Sequence, residues 1–153
     1  MRREEEGDMN LKGKNAIITG ASKGIGKAIA VRLAEHGVNL VLAARTQSTL
    51  DETIKEIQGS KKASGVKVIG IPTDVSKLED LQELVSTALK QFGTIDILIN
   101  NAGVSSQYPF DKQPLEDIER LTHTNYLGYV RLIRLVIPHM IERKQGAIIS
   151  MVS

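Results

Sequence analysis

The stretch Ala16-Ile17-Ile18-Thr19-Gly20-Ala21-Ser22-Lys23-Gly24-Ile25-Gly26 (AIITGASKGIG) decides the fold. Its first four residues are a short apolar run of the kind a strand buried on both faces requires, and the run stops at Gly20. Behind it Ile25, Ile29 and Leu33 repeat at i, i+4 and i+8, so a helix follows at once, and Gly37 is placed to end it. Three glycines sit in the turn between strand and helix. They let the backbone approach a pyrophosphate, and the helix N-terminus behind them offers free N–H donors and the positive end of a dipole. A nucleoside-triphosphate loop of the G-x4-G-K-[ST] type is excluded. Gly20 and Gly26 enclose five residues, and Lys27 is followed by Ala28, so no hydroxyl stands ready for a magnesium ion.

Outward from this unit the same alternation repeats. Val38–Ala44 is a second apolar run, and residues 48–58 carry Leu50, Ile54 and Ile57 on one helical side. A third run, VKVIGI, ends at Pro72. Leu81, Leu84, Val85, Ala88, Leu89 and Phe92 then keep an unbroken helical period up to Gly93. Ile95–Ile99 is a fourth strand, residues 115–141 read as one long helix, and Gly146 opens a fifth strand, AIISMV. Tyr126 and Tyr129 read as packing residues of that helix. The order β-α-β-α-β-α-β-α-β predicts an α/β, doubly wound parallel sheet of Rossmann type with five strands. Ligands of such sheets sit beyond the C-terminal ends of the strands, where the strand order reverses.

Composition narrows the classes further. The chain has 153 residues, 41% apolar and 25% charged, which is ordinary for one globular domain. It has no cysteine, so a disulfide framework, a thiolate metal site and a cysteine nucleophile are excluded. Aromatic content is 3%, which argues against modules that stack bases. Net charge is +2, split as −2 over residues 1–10 and +4 over the rest, too mild to indicate a nucleic-acid partner. Residues 1–10 read as a polar tail and 11–153 as the nucleotide-binding domain, with Met9 an alternative start. No apolar run approaches membrane-span length and no secretory signal is visible, so a cytoplasmic location is expected. His36, His123 and His139 form no ligand spacing, and no metal is expected.

The turn Thr19-Gly20-Ala21-Ser22-Lys23-Gly24-Ile25-Gly26 is similar to the T-G-x3-G-x-G motif of the short-chain dehydrogenase/reductase family. Other positions carry the likeness in order. Asp74-Val75 after strand three resembles the family's pair at the adenine ring. Asn100-Asn101-Ala102-Gly103 after strand four resembles N-N-A-G. Asn125-Tyr126-Leu127-Gly128 resembles the segment with the active-site Asn, and Gly146–Ser153 the strand that delivers the catalytic Ser. The resemblance covers residues 11–153. It implies hydride transfer between a nicotinamide cofactor and a carbonyl or alcohol. Cofactor-binding residues would be Gly20, Ser22, Lys23, Gly24, Ile25, Gly26, Arg45, Asp74, Val75, Asn101, Ala102 and Gly103. Catalytic residues would be Asn125 and Ser153, with Ser150 a weaker alternative for the Ser.

Cofactor choice turns on the end of strand two. A site for NAD usually has an acid there to bind the ribose 2′-hydroxyl. Here the stretch is Ala43-Ala44-Arg45, and Lys23 adds a second cation in the glycine turn. Both would attract a 2′-phosphate, so NADP(H) is expected over NAD(H). The family's Tyr and Lys, which handle the proton, should lie about a dozen residues beyond Ser153. The internal match Tyr108-Pro109-Phe110-Asp111-Lys112 is a poor candidate, because Pro109 and Pro114 oppose the helix that would align Tyr and Lys. The resemblance therefore implies a domain whose C-terminal part is missing here. This chain is expected to show no turnover, and strand five to become an apolar, unblocked edge. The intact protein is expected to form a homo-oligomer. The alternative reading is a non-catalytic dinucleotide-binding module, acting as a sensor or interaction partner.

Overall fold

The computed structural model describes residues 10–152. Ser153 and most of the polar tail, residues 1–9, lie outside the described residues. The elements are β1 (Asn15–Thr19), α1 (Gly24–Glu35), β2 (Asn39–Ala44), α2 (Gln47–Gly59), β3 (Val68–Pro72), α3 (Leu78–Phe92), β4 (Ile97–Asn100), α4 (Leu115–Thr122), α5 (Gly128–Arg143) and β5 (Ala147–Ser150). A π turn, His123–Leu127, joins α4 to α5.

The five strands form one sheet in the order β3-β2-β1-β4-β5, all pairs parallel. The chain moves outward from β1 to β3, then returns through α3 to place β4 on the other side of β1. The order therefore reverses between β1 and β4. Alternating side chains on each strand go to opposite faces. Ile18, Leu40, Leu42 and Ile99 pack with Ala30 and Ala34 of α1 and with Leu50 and Ile57 of α2. Ile17, Val41 and Leu98 pack with Leu81, Leu84 and Val85 of α3 and with Leu132, Val136 and Met140 of α5. Both faces are covered, which is why the strand runs carry apolar residues at consecutive positions.

Three expectations need correction. On α1 the buried stripe is Gly26, Ala30 and Ala34, one residue out of step with Ile25, Ile29 and Leu33. Small residues let the helix lie close to the sheet. Ile29 and Leu33 flank that contact, and Ile25 is 62% exposed at the cleft. The long helix is not one α-helix but α4, a π turn and α5, which runs through Pro138 to Arg143. Tyr126, within that turn, is 63% exposed rather than packed into the core, whereas Tyr129 is buried as expected. At the start of α3, Lys77 stands at the N-cap without a side-chain cap bond, and Asp80 accepts the Asp74 N–H at 2.8 Å.

Candidate functional site

The loops after β1, β2, β3 and β4 enclose a cleft of about 520 Å³ at the C-terminal ends of the strands. Gly20, Ser22, Lys23, Gly24 and Ile25 line it from the β1–α1 turn. Arg45 comes from the end of β2, Asp74 and Val75 from the end of β3, and Asn101, Ala102 and Gly103 from the end of β4. Of the residues singled out for binding, Gly26 alone is not on the wall. It is buried behind the turn, where a Cβ would collide with the Gly20 carbonyl oxygen. A Cβ at Gly20, whose φ is +65°, would stand 2.9 Å from Ala102 Cα. These two glycines are required so that helix, strand and the β4 loop can meet.

Asn101 and Thr19 fasten that meeting. The Asn101 amide donates to the carbonyls of Thr19 and Gly20 at 3.1 and 3.2 Å. In return the Thr19 hydroxyl accepts the N–H groups of Asn101 and Ala102, both at 3.0 Å. Thr19 stood in the quoted motif but was assigned no role. Its position at the end of a strand, facing the loop of a neighbour, was the available signal. The wall also includes Thr46, Thr49, Thr73, Val104 and Thr124, none of which a motif marks.

The mouth is basic on the β2 side. Lys23 is the N-cap of α1 and makes no side-chain cap bond, and no acid occupies the first turn of that helix. The N–H donors of α1 therefore face the cleft without an internal anion competing for them. Burial of Asp74 pushes its carboxyl upward. The hydroxyl and N–H of Ser76, bonded to Oδ1 at 2.6 and 3.0 Å, together with the charges of Lys77 and Arg45, outweigh burial and hold the carboxyl below its ordinary value. Asp74 Oδ2 has no hydrogen-bond partner among the described residues.

Asn125 sits in the π turn. Its Oδ1 accepts the Val104 N–H at 2.9 Å and its Nδ2 donates to the Val104 carbonyl at 2.7 Å. Both arms of the side chain are thus committed, and they tie the turn to the loop after β4. Ser150 ends β5, with its hydroxyl 3.5 Å from Asn100 Nδ2. The Tyr129 hydroxyl, raised in pKa by burial, donates to the Met151 carbonyl at 3.2 Å and ties down the chain just after β5. Tyr108 to Lys112 lies in a loop that ends in a single 3-10 turn, Phe110–Lys112, with no α-helix to align the two side chains. No group of three or more metal-ligating side chains occurs among the described residues. No helix there is long and apolar enough to cross a membrane.

A family profile described as short chain dehydrogenase matches residues 14–153. The chain is 40% identical over 148 residues to the fatty acyl-CoA reductase of Acinetobacter baylyi, covering 94% of this chain and 48% of that protein. Its fold superposes on hydroxysteroid dehydrogenase from Escherichia coli with a TM-score of 0.86 at 33% identity, covering 94% of this chain and 59% of the other. The TM-score is also 0.86, at 34% identity, against 7α-hydroxysteroid dehydrogenase complexed with NADH and 7-oxo glycochenodeoxycholic acid, covering 94% and 55%. The chain spans about half the length of the curated relatives it matches. It belongs to the short chain dehydrogenase family.

Proposed function

We propose that this chain supplies the NADP(H)-binding half of an oxidoreductase that moves a hydride between that cofactor and a carbonyl or alcohol substrate. The observation that carries the cofactor choice is the pair Lys23 and Arg45 on a cleft whose β2 end has no acid. The pyrophosphate would lie on the N-terminus of α1 at Ser22–Ile25. The Arg45 fork and the Lys23 ammonium would hold a 2′-phosphate, and Asp74 Oδ2 would accept from the adenine amino group. Ala102 and Gly103 are small enough for a ribose to lie against their backbone. When bound, the cofactor supplies the hydride. Ser153 would hold the substrate oxygen. Because both side-chain arms of Asn125 are committed to Val104, its share in proton movement falls to its backbone carbonyl and to the position of the turn.

The Tyr and Lys that would complete proton transfer have no counterpart among these residues, so we expect the purified chain to bind NADPH without turning it over. The intact protein would work in the cytoplasm as a homo-oligomer. Titration with NADPH and NADH by fluorescence tests the reading. We expect NADPH to bind at least about tenfold tighter, as one charge-assisted contact to phosphate implies. Arg45→Asp should abolish or invert that ratio while leaving NADH affinity within about threefold. Equal affinity for both cofactors in the wild-type chain would remove the NADP(H) assignment. No affinity for either, in a sample shown to be folded, would remove the binding role.

A further inference from the structure

The chain leaves β4 at Asn100 and enters α4 only at Leu115, and side chains of the following helix pin the intervening segment. Val104 is held by Asn125, as described. The Ser105 carbonyl accepts from the Arg120 guanidinium at 3.1 Å. Arg120 also makes two bonds to Asp117 Oδ1, at 2.6 and 3.1 Å. Asp117 Oδ2 accepts from the Gln113 amide at 2.9 Å. Ser105 before the loop and Gln113 after it are thus joined through one ion pair. The loop between them, residues 106–112, carries Tyr108 at 53% exposure and Phe110 at 85%. Within it the Tyr108 N–H donates to the Ser106 hydroxyl at 3.1 Å and the Lys112 N–H to the Pro109 carbonyl at 3.0 Å.

The place of this loop matters. Arg45 and Asp74 follow β2 and β3 on one side of the β1/β4 reversal. The loop rises from β4 on the other side, next to the end of the cleft formed by Val104 and Thr124. Tyr108 borders a depression lined by Pro114, Glu116, Asp117 and Arg120, and Phe110 stands exposed on the same loop, whose ends are tied through the Asp117–Arg120 pair. A loop ordered in advance spares a ligand the entropy of ordering it.

We propose that Asp117 and Arg120 are positioning residues, which clamp the loop of residues 106–112 so that Tyr108 and Phe110 form a fixed rim for the hydrocarbon body of the substrate. The substrate half of this statement rests on the proposed oxidoreductase reading; the clamp does not. The first measurement is amide hydrogen exchange on the full chain, comparing wild type with Asp117→Ala and Asp117→Asn. In Asp117→Ala the amides of Tyr108, Lys112 and Gln113 should exchange at least about tenfold faster, the loss expected for a charged hydrogen-bond hub. Asp117→Asn, which keeps an acceptor oxygen, should restore part of the protection. Amides of α1 and the NADPH affinity should not change. Unchanged exchange in the loop of Asp117→Ala would overturn the clamp.

The second measurement adds 2-decanone or acetone to the NADPH-loaded chain. The long ketone should slow loop exchange in wild type and lose that effect in Phe110→Ala, and acetone should do neither. If NADPH binds but 2-decanone leaves the loop unchanged, the rim is overturned while the cofactor reading stands. If NADPH itself does not bind, the oxidoreductase reading falls, and the comparison of Asp117 variants still decides the clamp.

Discussion

Asp96 shows what a single residue can hold. It is buried just before β4, its Oδ2 accepts the Asn15 N–H at 2.8 Å, and its Oδ1 accepts from Arg143 at 2.9 Å. Its carbonyl takes the Ala147 N–H of β5, and the Asn15 side chain continues the chain of bonds to Thr94 and Asn39. Replacing Asp96 by Ala leaves a buried N–H and a partly buried guanidinium without their acceptor. The expected loss is about 2–4 kcal/mol, read as a lower urea midpoint at unchanged slope. None of this was legible in the sequence, because the partners lie 47 and 81 positions away. The cleft residues carried by the glycine turn, Asp74-Val75 and Asn101-Ala102-Gly103 were legible, since each group follows a strand as a short local motif, whereas Thr46, Thr49, Thr73, Val104 and Thr124 were not. Asp74 adds a pH dependence. Its folded pKa is lowered, so its contribution is complete above the unfolded value of 3.8 and is lost as pH falls through the lower folded value. Asp74→Asn should remove that part of the acid slope, and unfolding curves between about pH 5 and 2 would show it.

At the scale of elements, α3 is legible because its apolar period never breaks and it is a single α-helix over Leu78–Phe92. The long helix was misread for a related reason. A period of 3.6 cannot register one extra residue, and the π turn at His123–Leu127 inserts one. The driving contacts are local to the site. Asn125 reaches Val104 with both arms, and Gly128 lets the start of α5 approach the loop after β3, where a Cβ would stand 2.8 Å from the Val75 carbonyl oxygen. Two effects therefore compete in Gly128→Ala. Helix propensity favours Ala by about 1 kcal/mol. Forcing apart backbone packed this closely costs about 1–3 kcal/mol. Steric crowding should win, giving a net loss of stability and, because Val75 lines the cleft, weaker NADPH binding. Calorimetry of the variant with and without NADPH checks both parts, and a stabilised variant would show that the loop yields freely.

At the scale of the whole molecule, the topology followed from the order of apolar runs and helical periods, whereas the state of its last edge depends on what covers it. β5 pairs with β4 from Ala147 to Ser150, and no strand flanks its other side among the described residues. Ile149 is 46% exposed, Met151 38% and Val152 85%, with neither charge nor proline from Ala147 to Val152 to discourage pairing. A strand edge of this kind is a template for another chain, and natural sheets normally block it. The 153-residue chain should therefore associate through β5, with sedimentation showing species that grow with concentration. Ile149→Lys, placing a charge on an exposed position of that strand, should suppress the association while leaving NADPH affinity unchanged, because the cofactor cleft lies across β1 to β4. A monodisperse wild-type monomer with cooperative unfolding would contradict the edge argument. Association that persists in Ile149→Lys would move the contact elsewhere, with the outward residues of α5, Val130 and Ile141, next to be tested.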